Sequence, residues 1–365
     1  MVRRALSLCL LIAATCLSCV AAQDLSTFPA TPLASLHFPT PSDAPEQADP
    51  GNLARGNQTG YNRCNSTTEN QQSLCQTSFV NDLTDFCLWA PQTPNSTISD
   101  TEGDEVAWCT KKGHGTRLMP AGTLQGVQLL RAPDYVMITG LLDQSLVNIQ
   151  TDDPGGELDP HGQDLRGNPI GGLMYSTAFT GSANQVIEWV NFMGSNLFCI
   201  KICNPAGANP AGFCQHTLDR IGCAYNAPSK YTVEPTSGPG EFEACDSDDM
   251  DIPGVYTQNG QTLSYSQPDE TLGPITTVPY QPRVPASSNC VTTASAALFT
   301  DLTSVGGSAS QTASTSGSAS GGSDNSPAGS TSQTAAGAGQ TGNAAVGLEV
   351  GAGVLGVAFA MAFLA

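Results

Sequence analysis

The cysteines constrain this chain more than any other feature. It contains thirteen of them, and three fall within residues 1–22. The other ten are Cys64, Cys75, Cys87, Cys109, Cys199, Cys203, Cys214, Cys223, Cys245 and Cys290. An even set in a secreted chain predicts disulfides, up to five here, with a connectivity that the sequence leaves open. Zinc is disfavoured because the ten show no paired C-x-x-C spacing.

Residues 1–22 have the form of a secretory signal peptide. Two arginines precede an apolar run at residues 6–20, and Ala21 and Ala22 follow it. The run is too short for a membrane anchor. We therefore expect cleavage on secretion, with Gln23 at the mature start.

The best strand signals lie between residues 131 and 223. Residues 173–179, 185–192 and 198–203 alternate apolar and polar side chains, as strands half-buried on a sheet do. Gly-Ser-Asn at 194–196 separates the last two runs, which predicts a hairpin.

Two more strands are predicted at 135–139 and 146–149, around a turn at 140–145. Helix-length periodic segments are missing between these strands. The pattern therefore favours a disulfide-stapled antiparallel β-sandwich or jelly-roll-like domain over a parallel sheet with crossover helices.

The strand prediction restricts the disulfides. In a strand, Cys199 and Cys203 lie roughly 13 Å apart between their Cα atoms. A disulfide spans no more than about 7 Å. The two cysteines are therefore expected to pair elsewhere.

One N-terminal helix is predicted from about residue 68 to residue 89, where apolar residues recur at helical spacing after a capping-box sequence. Cys75 and Cys87 would then lie roughly 18 Å apart. They are expected to pair with two other positions, among which Cys64, Cys109 and the central sheet remain open.

Composition divides the rest of the chain. Residues 23–56 are rich in proline and are expected to be extended on the domain or mobile. Residues 57–291 carry the ten cysteines and form the β-domain. Residues 303–342 consist mainly of Ser, Thr, Gly and Ala, which predicts a disordered stalk.

Residues 344–365 resemble a signal for a GPI anchor, because small residues and a short spacer precede a terminal apolar tail. Gly342 or Asn343 is the expected attachment residue. The prediction places the protein outside the cell, held to the membrane or wall through a lipid.

Three Asn-x-Ser/Thr sequences begin at Asn57, Asn65 and Asn95, which predicts a glycosylated face. The chain carries a formal net charge of −19 and has no basic run. Nucleic-acid binding is therefore disfavoured, and an acidic extracellular surface is the simplest interpretation.

Several longer segments resemble secreted basidiomycete proteins described as macrophage-activating glycoproteins. The segments are YNRCNSTTE (61–69), DFCLWAP (85–91), DTEG (100–103), WCTKKGHGTR (108–117), ELDPHG (157–162), DLRGNP (164–169) and DRIGCAYN (219–226). The resemblance covers about residues 32–291. It implies a fungal, extracellular origin and recognition by immune cells, and it implies no functional residue.

Catalysis has weak support in the sequence. An N-terminal copper brace needs histidine where Gln23 stands, and no G-x-S-x-G elbow indicates a serine hydrolase. A glycosidase needs two carboxylates across a cleft. The candidates are Glu157, Asp159, Asp164 and Glu188, although acidic residues in Gly/Pro-rich loops more often cap turns.

Metal sites and cofactors also have weak support. His161 with nearby acids, helped by His114, is one possible metal site, although a structural histidine is the commoner case. A looser calcium site would use Asp246, Asp248, Asp249 and Asp251, which lack the EF-hand pattern and fit a solvated turn. No cofactor is expected.

The tryptophans Trp89, Trp108 and Trp189 offer a possible sugar platform, with core packing as the alternative. The sequence thus favours a non-catalytic, GPI-anchored fungal surface glycoprotein that contacts wall polysaccharides or host receptors. A wall-remodelling hydrolase and a purely structural coat protein remain the alternatives.

Overall fold

A computed structural model describes residues 26–233 and 240–303. The predicted signal peptide, most of the predicted stalk and the predicted GPI signal lie outside these ranges. Within them, no helix is long and apolar enough to cross a membrane.

The described ranges contain fifteen strands, which confirms a mainly β domain. They are β1 (Thr77–Asp82), β2 (Asp85–Ala90), β3 (Val106–Cys109), β4 (Arg117–Leu118), β5 (Leu124–Arg131), β6 (Tyr135–Leu142), β7 (Gly156–Leu158), β8 (Leu173–Ser176), β9 (Asn184–Gln185), β10 (Trp189–Gly194), β11 (Leu197–Cys203), β12 (Phe242–Ser247), β13 (Val255–Gln258), β14 (Gln261–Ser264) and β15 (Ser287–Thr292).

The helices are short. The α-helices are α1 (Ile98–Thr101), α2 (Pro210–Phe213), α3 (Gly222–Asn226) and α4 (Ser295–Leu298). Single 3-10 turns occur at Leu33–Ser35, Pro41–Asp43, Gln144–Val147, Asp219–Ile221, Glu270–Leu272 and Thr300–Thr303.

The strands form three sheets. One sheet has the order β4-β3-β2-β1-β8-β9, a second has the order β15-β12-β5-β6-β11-β10-β7, and β13 and β14 form a separate hairpin. Most neighbours are antiparallel, but β1–β8, β3–β4 and β5–β12 are parallel pairs. The predicted antiparallel arrangement therefore holds with these three exceptions.

The two large sheets enclose the main core. Phe86 of β2 stacks against Phe198 of β11 with ring centroids 6.0 Å apart. Trp89 approaches Trp189 to 5.8 Å. These aromatic pairs bury large apolar areas between the sheets, which is the chief stabilising contribution in a sandwich of this kind.

The outer face of β11 has a second core. Because side chains alternate along a strand, Ile200 faces the main core while Cys199 and Cys203 face outward. The outward cysteines pair with Cys223 and Cys214 and hold a covering loop over the sheet. The prediction that they do not pair with each other is confirmed.

All ten predicted cysteines form disulfides. The other pairs are Cys64–Cys75, Cys87–Cys109 and Cys245–Cys290. The five bridges predicted from the even count are therefore confirmed.

The predicted helix at residues 68–89 is wrong, because β1 and β2 form an antiparallel hairpin there. Phe86 to Ala90 are buried on both faces of the strand. A strand covered on both sides is apolar at nearly every position, so a helical spacing can be selected from it by coincidence.

The predicted strand at 146–149 is also wrong. β6 continues through Leu142, and a 3-10 turn follows at Gln144–Val147, where the Asp143 side chain accepts a hydrogen bond from the Ser145 backbone. The run at 185–192 is interrupted, with β9 ending at Gln185 and β10 beginning at Trp189.

The hairpin between β10 and β11 is confirmed. Ser195 and Asn196 connect the strands with φ of 53° and 58°. Two successive left-handed residues match the twist of the paired strands.

The proline-rich segment packs on the domain. Ala44 and Ala48 are buried, and the backbone of Leu33 donates a hydrogen bond to Leu165. Asp49 accepts a 2.6 Å hydrogen bond from the fully buried Arg166 side chain. Of the two predicted states, the described part of this segment adopts the one that lies on the domain.

Candidate functional site

A cavity of about 620 Å³ lies beside β7, the last strand of the seven-stranded sheet. We call it the acidic cavity, because five carboxylates line it. They are Glu102, Glu157, Asp159, Asp219 and Glu270. A neighbouring cavity of about 410 Å³ shares part of its wall, including Asp219, and adds Phe192, Met193, Leu197 and Ile221. The two cavities together offer an acidic end and an apolar end.

Glu157 is the central residue of β7, opposite Phe192 of β10. It is 7% exposed, and neither carboxyl oxygen has a hydrogen-bond partner among the described residues. Burial, followed by the charges of Asp159 and Asp219, raises the pKa of Glu157 well above its usual value. Burial therefore favours the neutral form of the Glu157 carboxyl, whose hydrogen-bonding capacity is unused among the described residues.

Asp159 follows β7 and caps a tight turn. Its carboxylate accepts hydrogen bonds from the backbone N–H of His161 at 2.7 Å and of Gly162 at 2.8 Å. Burial raises the pKa of Asp159 despite these bonds. The turn directs His161 back toward the sheet.

His161 forms a face-to-face pair with His216, which arrives from the loop that the cysteines of β11 hold. The Nε2 atom of His161 lies 3.1 Å from a carboxylate oxygen of Glu188. The Nδ1 atom of His216 lies 3.9 Å from Asp159. The site therefore combines two imidazoles with the carboxylates of Asp159 and Glu188, which come from separate segments of the chain.

The cationic groups at the cavity wall are already engaged. The Arg220 guanidinium donates to the backbone carbonyls of Pro268 and Gly273. Burial and the neighbouring His161 lower the pKa of His216, which favours its neutral form. The acidic cavity consequently keeps an excess of carboxylates.

The four carboxylates predicted as catalytic candidates do not share one role. Glu157 and Asp159 line the acidic cavity, while Glu188 reaches it through His161. Asp164 instead pairs with Arg55 at 3.1 Å. Asp164 is thus a structural residue that anchors the N-terminal segment.

The predicted metal ligands are spread over different partners. Asp246 accepts a hydrogen bond from Asn289, Asp249 accepts one from a backbone amide, and Asp251 binds Arg283 through two hydrogen bonds. Among the residues described, these aspartates and Asp248 do not converge as metal ligands. A looser calcium site there stays a prediction without support from this geometry.

His114 is also held in a structural contact. Its Nε2 atom lies 2.6 Å from Asp85, and its ring stacks on Phe79 at 4.1 Å. Its contacts are with β1 and β2 of the first sheet, and it is not part of the His161–His216 pair.

The tryptophans form no sugar platform. Trp89, Trp108 and Trp189 are 0%, 4% and 1% exposed, so all three belong to the core. The core-packing alternative is the correct one.

Tyrosines instead line an open groove of about 620 Å³. Tyr256 and Tyr280 stack with centroids 5.3 Å apart and planes 9° from parallel, and Tyr225 meets Tyr280 edge-on. The bidentate Asp251–Arg283 ion pair lies at the same groove. We call this set the tyrosine groove. The sequence signal for it is the concentration of tyrosines between residues 225 and 280.

The three predicted glycosylation asparagines, Asn57, Asn65 and Asn95, are exposed. Their accessibility is compatible with modification. Glycosylation itself stays a prediction.

The chain is similar to two curated fungal proteins. It is 44% identical over 236 residues to appressorium protein ROW1 of Mycosarcoma maydis, which covers 64% of this chain and 51% of ROW1. It is 41% identical over 221 residues to appressorium protein ROW2 of the same fungus, which covers 60% of this chain and 72% of ROW2. The chain therefore spans about half the length of ROW1.

No protein-family model matches the chain, and no solved structure is significantly similar to it. The relatives confirm the fungal origin that the resemblance implied. Activation of macrophages stays a prediction.

Proposed function

The chain belongs to the family of the appressorium proteins ROW1 and ROW2, and we propose that it is a secreted, non-catalytic fungal surface protein that binds polysaccharide where the fungus meets its host. An appressorium is a structure with which a fungus attaches to and enters a host. The names of the relatives therefore support a role at that contact.

The tyrosine groove is the observation that carries polysaccharide binding. Tyr225, Tyr256 and Tyr280 are each half-buried, so part of each ring faces the solvent. The C–H face of a sugar ring packs well on an aromatic ring, because both surfaces are apolar and flat. Asp251 and Arg283 supply acceptors and donors for sugar hydroxyls at the same groove.

The separate β13–β14 hairpin presents Tyr256. A two-stranded hairpin has little stability alone, so the packing of Tyr256 on Tyr280 holds it to the domain. The aromatic pair thus places a sugar-sized surface at the edge of the fold, where a long polymer can pass.

Anchoring and glycosylation extend the proposal. The C-terminal sequence supports a GPI anchor at Gly342 or Asn343, and the exposed Asn57, Asn65 and Asn95 support N-linked glycans. Both features suit a protein displayed on a membrane or wall, where host receptors reach it. The resemblance to macrophage-activating glycoproteins supports contact with host cells as well.

A wall-remodelling hydrolase is the second candidate, and Glu157 is the observation that favours it. A carboxyl whose pKa is raised by burial is suited to be a general acid, and Asp159 and Asp219 lie in the same cavity. The distinction between binding and hydrolysis rests on whether sugar is released.

The test uses the full-length secreted protein with its disulfides intact. It is incubated with insoluble glucan, chitin and mannan, and both bound protein and released sugar are measured. Saturable binding without release supports the proposal, and released sugar supports the hydrolase. If both are absent, the purely structural coat protein remains.

Variants locate the binding surface. Tyr256→Ala is expected to weaken binding about 5- to 30-fold, because loss of one stacked aromatic surface removes on the order of 1 to 2 kcal/mol. Tyr256→Phe keeps the ring and should bind nearly as the wild type. Phe28→Ala is the control, since Phe28 is 54% exposed and lies outside the groove. Equal binding by all three variants would exclude the tyrosine groove.

A further inference from the structure

The acidic cavity has a charge imbalance that its own residues do not correct. Five carboxylates line it, against the single arginine Arg220 and the imidazole of His216. Arg220 is held by two backbone carbonyls, and the pKa of His216 is lowered by burial first and then by His161. A ligand with positive charge would therefore meet little competition inside the cavity.

Glu157 supplies an independent sign of a missing partner. Its side chain is more than nine-tenths buried, and neither of its oxygens has a hydrogen-bond donor within residues 26–233 and 240–303. Buried carboxyls nearly always have hydrogen-bond partners, and an exception calls for a specific explanation. The charged groups that act on it are Asp159, Asp219, Glu102 and the buried Lys201, and three of these four line the same cavity.

We propose that the acidic cavity binds the protonated primary amine of a ligand, with Glu157, Asp159 and Asp219 as its hydrogen-bond acceptors. This site is distinct from the tyrosine groove and does not depend on the polysaccharide proposal. An ammonium group has three donors and no acceptor, which matches a cavity rich in carboxylate oxygens.

An organic amine fits the cavity better than a metal ion does. Calcium needs six to eight oxygens that converge at about 2.3 to 2.6 Å. Among the described residues, these carboxylates do not form such a cluster. The adjoining cavity with Phe192, Leu197 and Ile221 instead suits the carbon skeleton to which an amine is attached.

Two sources can supply this chemistry: an amino sugar, such as a glucosamine oligomer, and a linear polyamine. A sugar would place its ring in the neighbouring apolar cavity, while a polyamine would place only methylene groups there. The shared requirement is the charged amine, so acetylation of that amine should abolish binding in either case.

Calorimetry on the full-length secreted protein at pH 7 tests the proposal. The probes are the glucosamine trimer, spermidine and the N-acetylglucosamine trimer. We expect saturable binding of at least one charged amine and no binding of the acetylated trimer in the acidic cavity. Preference between the first two probes identifies the source.

Matched variants assign the site. Asp219→Asn removes one charged acceptor, and Glu157→Gln removes a carboxyl that would ionise beside the bound ammonium. We expect each variant to weaken amine binding by about tenfold or more, as loss of a charge-assisted hydrogen bond does. Asp152→Asn is the control, because Asp152 is an exposed carboxylate of this region that does not line the cavity. Circular dichroism and thermal melting confirm that each variant is folded.

Three outcomes would overturn the proposal. They are the absence of amine binding, equal binding of acetylated and charged trimers, and equal losses in the Asp152→Asn control. Tyr256→Ala should leave amine affinity unchanged, so failure of the tyrosine groove and failure of the acidic cavity are distinguishable. A calcium titration that displaces the amine with site-specific affinity would reassign the cavity to a metal ion.

Discussion

The imidazole rings of His161 and His216 stack with their centroids 3.9 Å apart and their planes 12° from parallel. Burial lowers the pKa of both rings, but the hydrogen bond from His161 to Glu188 and the charges of Glu188 and Asp159 together outweigh it and raise the pKa of His161. His216 makes no such bond with any residue that the structure describes, and burial and the charge of His161 lower its pKa. The pair therefore favours a single proton, on His161, because two charged rings at this distance repel each other.

NMR titration should resolve this difference. The chain has four histidines, so the four imidazole signals can be assigned by single His→Gln substitutions. We expect His161 to titrate above the usual histidine pKa and His216 below it. Titration of both at the same pH would contradict the one-proton pair.

Glu188→Gln should lower the stability of the folded protein in acid. The raised pKa of His161 stabilises the folded state. This contribution is fully present below the pKa of histidine in the unfolded chain, near 6.5, and it is lost as the pH rises through the pKa of His161 in the folded protein. We expect a loss of about 1 kcal/mol at pH 5.5 and little change at pH 9. Urea unfolding at both pH values measures it, and a loss of equal size at both would attribute the effect to packing.

Glu157→Gln should stabilise the protein at neutral pH. The pKa of Glu157 is raised well above 4.5 in the fold, so the folded state holds a proton that the unfolded chain releases. The free energy of unfolding therefore falls as the pH rises above the pKa of glutamate in the unfolded chain. The amide of the Glu157→Gln variant does not titrate, so the variant avoids this loss. We expect a gain of about 1 to 2 kcal/mol at pH 7 and almost none at pH 4. Glu46→Gln, at an exposed carboxylate, is the control.

Lys201→Met should also stabilise the protein, with a different pH dependence. Burial lowers the pKa of Lys201 to about 7, although its ammonium donates to the Asn226 carbonyl and lies over the Tyr135 ring. The free-energy cost of burying the charged ammonium is fully present below pH 7. It disappears as the pH rises toward 10.5, the pKa of lysine in the unfolded chain. The gain should therefore be larger at pH 6 than at pH 9. A loss of stability at both pH values would show that the hydrogen bond from Lys201 to Asn226 outweighs the cost of the buried charge.

The sequence predicts the parts of the fold in which one strand face differs from the other. Alternation along residues 198–203 gives β11 its register and excludes a Cys199–Cys203 bridge. The hairpin follows from Ser195 and Asn196, which tolerate positive φ. These signals depend only on neighbouring residues, so they can be recognised without knowledge of the tertiary contacts.

The sequence fails where both faces of a strand are buried. β2 is apolar at every position after Asp85, and β1 buries Thr77 and Ser78 as well as its two apolar residues. Tertiary packing rather than local preference therefore makes them strands. The capping-box spacing ahead of them carries no helix, because the Cys64–Cys75 disulfide holds that segment. A capping pattern alone therefore does not determine a helix.

Only part of the candidate site could be predicted from the sequence. Glu157, Asp159 and His161 lie close together in the chain, so the acidic loop is visible in the sequence. His216 and Asp219 come from a distant segment, and only the cysteine connectivity, which sequence cannot give, brings them there. The tyrosine groove was missed for the same reason, since its members meet only after the C-terminal segment wraps the domain.

Removal of the Cys199–Cys223 disulfide should affect both stability and the acidic cavity. The bridge closes a loop whose ends are 24 residues apart and which contains His216 and Asp219. Replacing both cysteines by serine should cost about 3 kcal/mol by the loop-entropy relation. Because His216 then loses its fixed position against His161, the pKa values of the two rings should approach each other. Urea unfolding and histidine NMR measure the two effects.

The Cys64–Cys75 bridge provides the matched control. Its cysteines are 11 residues apart, and neither lines the acidic cavity. Replacing both by serine should lower stability by a similar or slightly smaller amount, since a shorter loop loses less entropy on closure. The separation between the two histidine pKa values should stay unchanged, because His161 and His216 keep their contact. Equal loss of that separation in both double variants would mean that general destabilisation, rather than the Cys199–Cys223 loop, controls the histidine pair.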